Sequence, residues 1–242
     1  MLELLFKDLQ QIKAIRKEAI EFSGMKFRGQ GLKFIDGKPI WIQNGKPYYI
    51  FLLMKLSGRF MQHPAILNEI SNIIARIVDF SKVDKILTLE TMGIHISTAL
   101  SLRTKKPLAI AGKIKYYDEV TSWEPPHQIE VTKKTGYGVS KLYINDIFPE
   151  DKVMIFDSII STGGSFTSLI KRLKERRIEI VDAVAVLEKV DYGGVEKIKR
   201  ETGIDVKTLI RIKIKDVRER NAHLEVTADI SPTEYLIKYD SS

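Results

Sequence analysis

Residues 153–165 read Val153-Met154-Ile155-Phe156-Asp157-Ser158-Ile159-Ile160-Ser161-Thr162-Gly163-Gly164-Ser165. The large apolar residues of 152–156 predict a strand buried on both faces. The strand is expected to end at a carboxylate, Asp157, after which hydroxyl and glycine residues open a helix over 165–176. Glycines let backbone N–H groups close around a phosphate, Ser161, Thr162 and Ser165 add hydroxyl donors, and the positive end of the helix dipole favours an anion. Asp157 stands where an acceptor could hold a sugar hydroxyl. The plainer alternative is an ordinary strand-to-helix turn capped by Ser or Thr.

Working outward, strand and helix patterns alternate. Strands are predicted over 85–89, 107–111, 181–187 and 206–212, and helices over 95–103 and 194–201. This alternation predicts an α/β fold with a mostly parallel sheet flanked by helices. Upstream, 64–78 has helical spacing, with Leu67, Ile70, Ile74 and Ile77 on one face. Residues 2–22 read as an amphipathic helix. Segments 32–35, 39–42 and 48–55, punctuated by Asp36-Gly37 and Asn44-Gly45, read as a β-hairpin or meander. Residues 116–138, with Trp123, Pro125 and Pro126, are too irregular for a simple connection and predict a flexible lid-like loop. The expected division is an N-terminal extension over 1–55, a core over 56–220 and a tail over 221–242 without a readable motif.

With 242 residues, 44% hydrophobic and 29% charged, the chain has the composition of a globular protein rather than a disordered or fibrous one. It has no cysteine, which excludes disulfides, thiolate nucleophiles and Cys-based zinc sites. His63, His95, His127 and His223 lie too far apart for metal-ligand spacing, and no metal site built from protein side chains is expected. His95, in a predicted first helical turn, reads as a structural or solvated histidine. No apolar run is long enough to cross a membrane and the first residues lack a signal-peptide layout, so a cytoplasmic protein is expected. The formal charge of +8 suits a nucleotide, pyrophosphate or nucleic acid, though a basic solvated surface would account for it equally.

The segment 153–165 resembles the 5-phosphoribosyl-1-pyrophosphate (PRPP) motif of type I phosphoribosyltransferases. The resemblance extends to Thr88-Leu89-Glu90-Thr91-Met92-Gly93-Ile94, Thr98-Ala99-Leu100-Ser101-Leu102, Lys134-Thr135-Gly136-Tyr137 and Leu142-Tyr143-Ile144-Asn145, which are similar to archaeal hypoxanthine phosphoribosyltransferases. Leu187-Glu188-Lys189 and the stretch 206–212 are similar to bacterial xanthine enzymes. The resemblance covers roughly residues 60–212 and implies the type I phosphoribosyltransferase fold. It further implies that a phosphoribosyl group passes from PRPP to a purine, favouring a 6-oxopurine with adenine open, to give a nucleoside monophosphate and pyrophosphate. Asp157 and Lys113 would be catalytic. Asp157, Ser158, Ser161, Thr162, Gly163, Gly164 and Ser165 would hold PRPP and its 5′-phosphate, and Thr91, Met92, Gly93 and Lys113 the pyrophosphate. Lys189 would read the nucleobase, with a solvated lysine as the plain alternative, and Gln62 in Phe60-Met61-Gln62-His63 would assist it. Mg²⁺ would be bound mainly through PRPP, and the assembly would be a homodimer.

Two positions depart from the family pattern. A second carboxylate normally follows the first, and here it is Ser158, a neutral hydroxyl that forms only weaker bonds. The pyrophosphate-facing strand end, typically Arg-Lys-Arg in the archaeal group, reads Gly112-Lys113-Ile114. Lys115, Lys133 and Lys134 are candidate replacement charges if the long loop closes. These departures keep open a catalytically impaired PRPP or nucleotide sensor or transcription regulator, although 1–55 lacks the second helix of a helix-turn-helix reader, which disfavours nucleic acid as a partner. A subunit serving assembly alone is the third possibility.

Overall fold

The computed structural model describes residues 64–117, 122–123, 125, 127–135, 138–218 and 221–228, together with strands β1 (Leu32–Ile35), β2 (Lys38–Gln43) and β3 (Lys46–Tyr48). These three strands form an antiparallel meander in the order β1-β2-β3. The first two strands match the predicted 32–35 and 39–42 and the third begins earlier than the predicted 48–55, while Asp36-Gly37 and Asn44-Gly45 lie outside the described residues. The predicted helix over 2–22 lies outside the described residues, as does Gln62.

The main sheet has six strands in the order β11-β10-β9-β8-β4-β5. They are β4 (Lys85–Leu89), β5 (Leu108–Ala111), β8 (Lys152–Ile160), β9 (Glu179–Lys189), β10 (Lys207–Arg218) and β11 (Asn221–Ala228). From β10 to β5 every pairing is parallel. The edge strand β11 returns antiparallel on β10, so part of the predicted motif-free tail belongs to the sheet. The helices are α1 (Pro64–Ile77), α2 (Ile94–Thr104), α3 (Gly164–Glu175) and α4 (Gly194–Thr202).

Alternating residues of the central strands feed two cores. On one face, Ile70, Ile73 and Ile74 of α1 and Ile96 and Leu100 of α2 bury against Ile86, Met154, Phe156, Val184 and Leu209. On the other, Phe166, Leu169, Ile170 and Leu173 of α3 and Ile198 of α4 pack on Leu87, Val153, Ile155, Ala183 and Ala185. Each fully buried Leu, Ile or Phe contributes about 1.5–3 kcal/mol by leaving water. Both faces are therefore covered, as a parallel sheet requires. Among the described residues, no helix is long and apolar enough to cross a membrane.

Two sequence expectations need correction. The stretch 116–138 is not wholly an irregular loop: β6 (Ile129–Thr135) pairs antiparallel with β7 (Gly138–Ile144). Ile129, Val131, Leu142 and Ile144 are buried beside α3, so a hairpin with one apolar side pays its ordering entropy where Pro and Trp had masked the period-2 signal. Strand β8 also runs past Phe156 and Asp157 to Ile160, because β9 continues to pair with it through Ile159↔Leu187 and Ile160↔Glu188.

Candidate active site

Strand β4 leads through α2 to β5 on one side, while β8 leads through α3 to β9 on the other, and the two helices cover opposite faces. The β4–β8 pair is therefore the topological switch point, where the connections diverge and open a crevice beyond the strands' carboxyl ends. Pairing of β4 with β8 stops at Thr88↔Phe156, whereas β8 stays paired to β9. Asp157 is the first residue of β8 beyond the split, and its partly exposed side chain borders that crevice.

Burial pushes the Asp157 carboxyl up to about 7, against the opposing pull of the Ser158 N–H and of the Lys133 charge. The Ser158 N–H donates to Asp157 Oδ1 at 2.7 Å. Ser158 itself is fully buried, and its Oγ has no hydrogen-bond partner among the described residues. Ser158 thus meets Asp157 through its backbone N–H.

The turn after β4 closes on Asp157. A Cβ built on Gly93 would come within 2.1 Å of Thr88 Oγ1 and 3.4 Å of Asp157 Oδ1, so only glycine lets this turn approach. The peptide Glu90–Thr91 is cis. Glu90 Oε2 accepts the Lys113 N–H at 2.7 Å, and Lys113 Nζ donates to Thr91 Oγ1 at 2.9 Å. The ends of β4 and β5 are thereby locked together, with an exposed ammonium over the turn. Thr91, Gly93, Lys113 and Asp157 come together at this turn, and Met92 lies half-buried in it.

Beyond β8, Ser161, Thr162 and Gly163 lead into α3. Gly163 adopts φ 70° at the N-cap and no side chain caps the helix. The Ser/Thr-capped turn offered as the plainer alternative is therefore absent, and the first N–H groups of α3 keep their donor capacity for an anion. The loop rests backbone to backbone on the start of α4. A Cβ on Gly163 would lie 2.4 Å from the Gly194 carbonyl oxygen, and one on Gly194 only 2.0 Å from that of Ser161. Gly194 is a positioning residue that the motif search missed; the Gly193-Gly194 pair at a strand-to-helix junction was its signal. Gly194→Ala is expected to cost about 1–3 kcal/mol by overpacking and to weaken phosphate-ester binding, measurable by thermal unfolding and calorimetry on one sample.

Lys189 ends β9 and is 3% exposed, which removes the solvated alternative, and burial lowers its ammonium to about 8. Beside it, Glu188 is 1% exposed and accepts from Arg211 Nε at 3.0 Å. His95, in the first turn of α2, is not solvated either. Both its ring nitrogens are buried without a hydrogen-bond partner among the described residues, and burial lowers its pKa.

The hairpin adds one group. Tyr143 of β7 exchanges both backbone hydrogen bonds with Gly112, at 2.9 and 2.8 Å, anchoring the hairpin to the end of β5. On β6, half-buried Lys133 feels the charges of Lys113, Asp157 and Glu90; burial first and Lys113 second lower its pKa, and the two carboxylates oppose this. Among the described residues, no three His, Asp or Glu side chains form a metal cluster.

Comparisons with known proteins agree with this geometry. The family described as "Phosphoribosyl transferase domain" matches residues 57–215. The hypoxanthine/guanine phosphoribosyltransferase of Methanocaldococcus infernus is 41% identical over 169 residues, covering 70% of this chain and 87% of that protein. An HGPRTase-like protein of Halorhabdus utahensis is 40% identical over 170 residues, covering 70% and 85%. Among solved structures, the adenine phosphoribosyltransferase of Thermoanaerobacter pseudethanolicus aligns with a TM-score of 0.52 at 19% identity, over 61% of this chain and 81% of that one. The Trypanosoma brucei adenine enzyme, solved with AMP, pyrophosphate and ribose-5-phosphate, gives 0.53 at 14% identity over 73% and 78%. These two likenesses concern the fold. Fold and sequence similarity converge: the chain belongs to the phosphoribosyl transferase domain family, has its type I fold, and is an enzyme of the glycosyltransferase type.

Proposed function

We propose that this chain transfers the 5-phosphoribosyl group of PRPP to a purine base, with a 6-oxopurine favoured, releasing pyrophosphate and a nucleoside monophosphate in the cytoplasm. The observation that carries the proposal is the uncapped N-terminus of α3 behind Gly163, one strand end away from Asp157 and the Lys113–Thr91 pair. The 5′-phosphate fits that helix end, with Ser161, Thr162, Gly164 and Ser165 supplying donors. Asp157 would hold the ribose, its carboxylate favouring the positive charge that develops on the ring. Lys113, with the 91–93 turn, would take the departing pyrophosphate. Buried Lys189, at the next strand end, would read the base edge, and the similarity to proteins named hypoxanthine/guanine phosphoribosyltransferase supports a 6-oxopurine.

The carboxylates of Asp157 and Glu90 are hard oxygen donors that suit Mg²⁺ bound mainly through PRPP. The ion would neutralise pyrophosphate charge as it leaves. A homodimer is part of the proposal, and the exposed apolar side chains Leu102, Ile110 and Ile114 support it.

Calorimetric titration with PRPP and Mg²⁺ tests the site. Saturable binding that Gly163→Val abolishes is expected, because valine at φ 70° would strain the loop and strike Gly194. Absence of binding to the parent protein would refute the assignment. Binding without turnover would instead mark the chain as a sensor.

A further inference from the structure

The crevice holds a second cation besides Lys113, delivered by the hairpin rather than by the end of β5. Ile129 and Val131 of β6 are 3% and 1% exposed in the core against α3. Period-2 alternation carries the same inward side on to Lys133. The strand cannot drift. Arg172 Nε of α3 donates to the Glu130 carbonyl oxygen at 3.1 Å, and Glu130 pairs with Lys141 of β7 at 2.7 Å. The Gly112–Tyr143 exchange then ties the hairpin to the strand end that bears Lys113. Lys133 therefore stands half-buried on the hairpin side tied to the end of β5, where its charge is felt together with those of Lys113, Glu90 and Asp157.

Glu90 is already committed to Lys113 by its N–H bond at 2.7 Å and an ion pair at 3.8 Å. Asp157 is the other carboxylate within reach of the Lys133 charge. A polyanion entering between the two lysines would relieve their mutual repulsion and release Asp157 for the sugar. A phosphate monoester held at α3 would not engage them.

Resting on the PRPP assignment above, we propose that Lys133 is a pyrophosphate-binding residue, supplying from β6 the positive charge that Gly112 and Ile114 do not supply from the end of β5. Lys133 then does for the diphosphate what the α3 N-terminus does for the 5′-phosphate, and the two ends of PRPP are recognised by separate elements.

The test is calorimetry on the parent, Lys133→Met and Lys133→Arg, each titrated with PRPP, inorganic pyrophosphate and ribose 5-phosphate in the presence of Mg²⁺. Met keeps the half-buried stem and Arg keeps the charge. Lys133→Met is expected to weaken PRPP and pyrophosphate by about tenfold, the value of one lost charge-assisted contact. Ribose 5-phosphate should change less than about twofold, and Lys133→Arg should stay near the parent for all three ligands. Equal weakening of ribose 5-phosphate would reduce Lys133 to a structural role and overturn the proposal, as would an unchanged PRPP affinity. A parent that binds ribose 5-phosphate but gains nothing from the diphosphate overturns it too. A parent that binds none of the three refutes the PRPP site itself, and Lys133's role with it.

Discussion

Asp157→Asn produces a protein that transfers phosphoribose at least about 10²-fold more slowly and yet resists heat better than its parent at pH 8. The rate loss follows from removing the carboxylate that the proposed function places against the ribose. The stability gain follows from burial, which holds the Asp157 carboxyl at about 7 against 3.8 for an ordinary aspartate. Between those values the folded protein binds more protons than the unfolded chain. The contribution of the protonated group is therefore complete below about 3.8 and is lost as pH rises through 7. At pH 8 the parent carries a desolvated carboxylate and the variant a neutral amide, which can still accept the Ser158 N–H. At pH 5 the folded parent is protonated while its unfolded chain is ionised, so the difference in melting temperature should be smaller than at pH 8, closing fully only below about 3.8. Scanning calorimetry of the ligand-free proteins at the two pH values reads this directly. An equal difference at both would show that Asp157 is not desolvated.

Gly112→Arg raises kcat/KM for PRPP, on the order of tenfold, by returning a guanidinium to the leaving-group end of the site. The position admits a side chain. Its backbone is not left-handed, and an added Cβ would meet Glu90 Oε2 at 3.7 Å and the Tyr143 carbonyl oxygen at 4.0 Å, ordinary contacts. The Gly112–Tyr143 hydrogen bonds are backbone to backbone and survive the substitution. Steady-state kinetics with PRPP varied decides the outcome. The gain should be larger in the Lys133→Met background, where the diphosphate lacks a cation, than in the parent. A gain of the same size in both would mean that the two positions serve different groups.

Much of the fold was legible because its signals were local. The apolar run before Asp157, the glycines after it and the helical spacing of Leu67, Ile70 and Ile74 each predict an element without reference to the rest of the chain. What escaped depends on partners distant in sequence. β8 continues through Ile160 because β9 stays beside it, and β11 becomes a strand because β10 offers an open edge. The hairpin over 129–144 was hidden because its apolar alternation is short and follows Trp123 and two prolines, whereas its stability comes from burial against α3. In the site, the family resemblance at Thr91, Gly93, Lys113 and Asp157 announced their grouping. Ser158 did not: nothing in its residue type shows that the hydroxyl would be fully buried. For Gly194 the Gly193-Gly194 pair marks a turn, but only the 2.0 Å approach of the Ser161 carbonyl oxygen shows why no Cβ is tolerated there. Lys189 looked as much like a surface lysine as a base reader until its 3% exposure was seen.

The most direct test of the central claim is pyrophosphate release from PRPP and Mg²⁺ with hypoxanthine, guanine, xanthine or adenine supplied in turn. Release that requires a base, proceeds faster with a 6-oxopurine than with adenine, and yields the matching nucleoside monophosphate is the predicted result. PRPP that binds saturably but releases no pyrophosphate with any of the four would contradict it and leave a nucleotide sensor on an enzyme's fold.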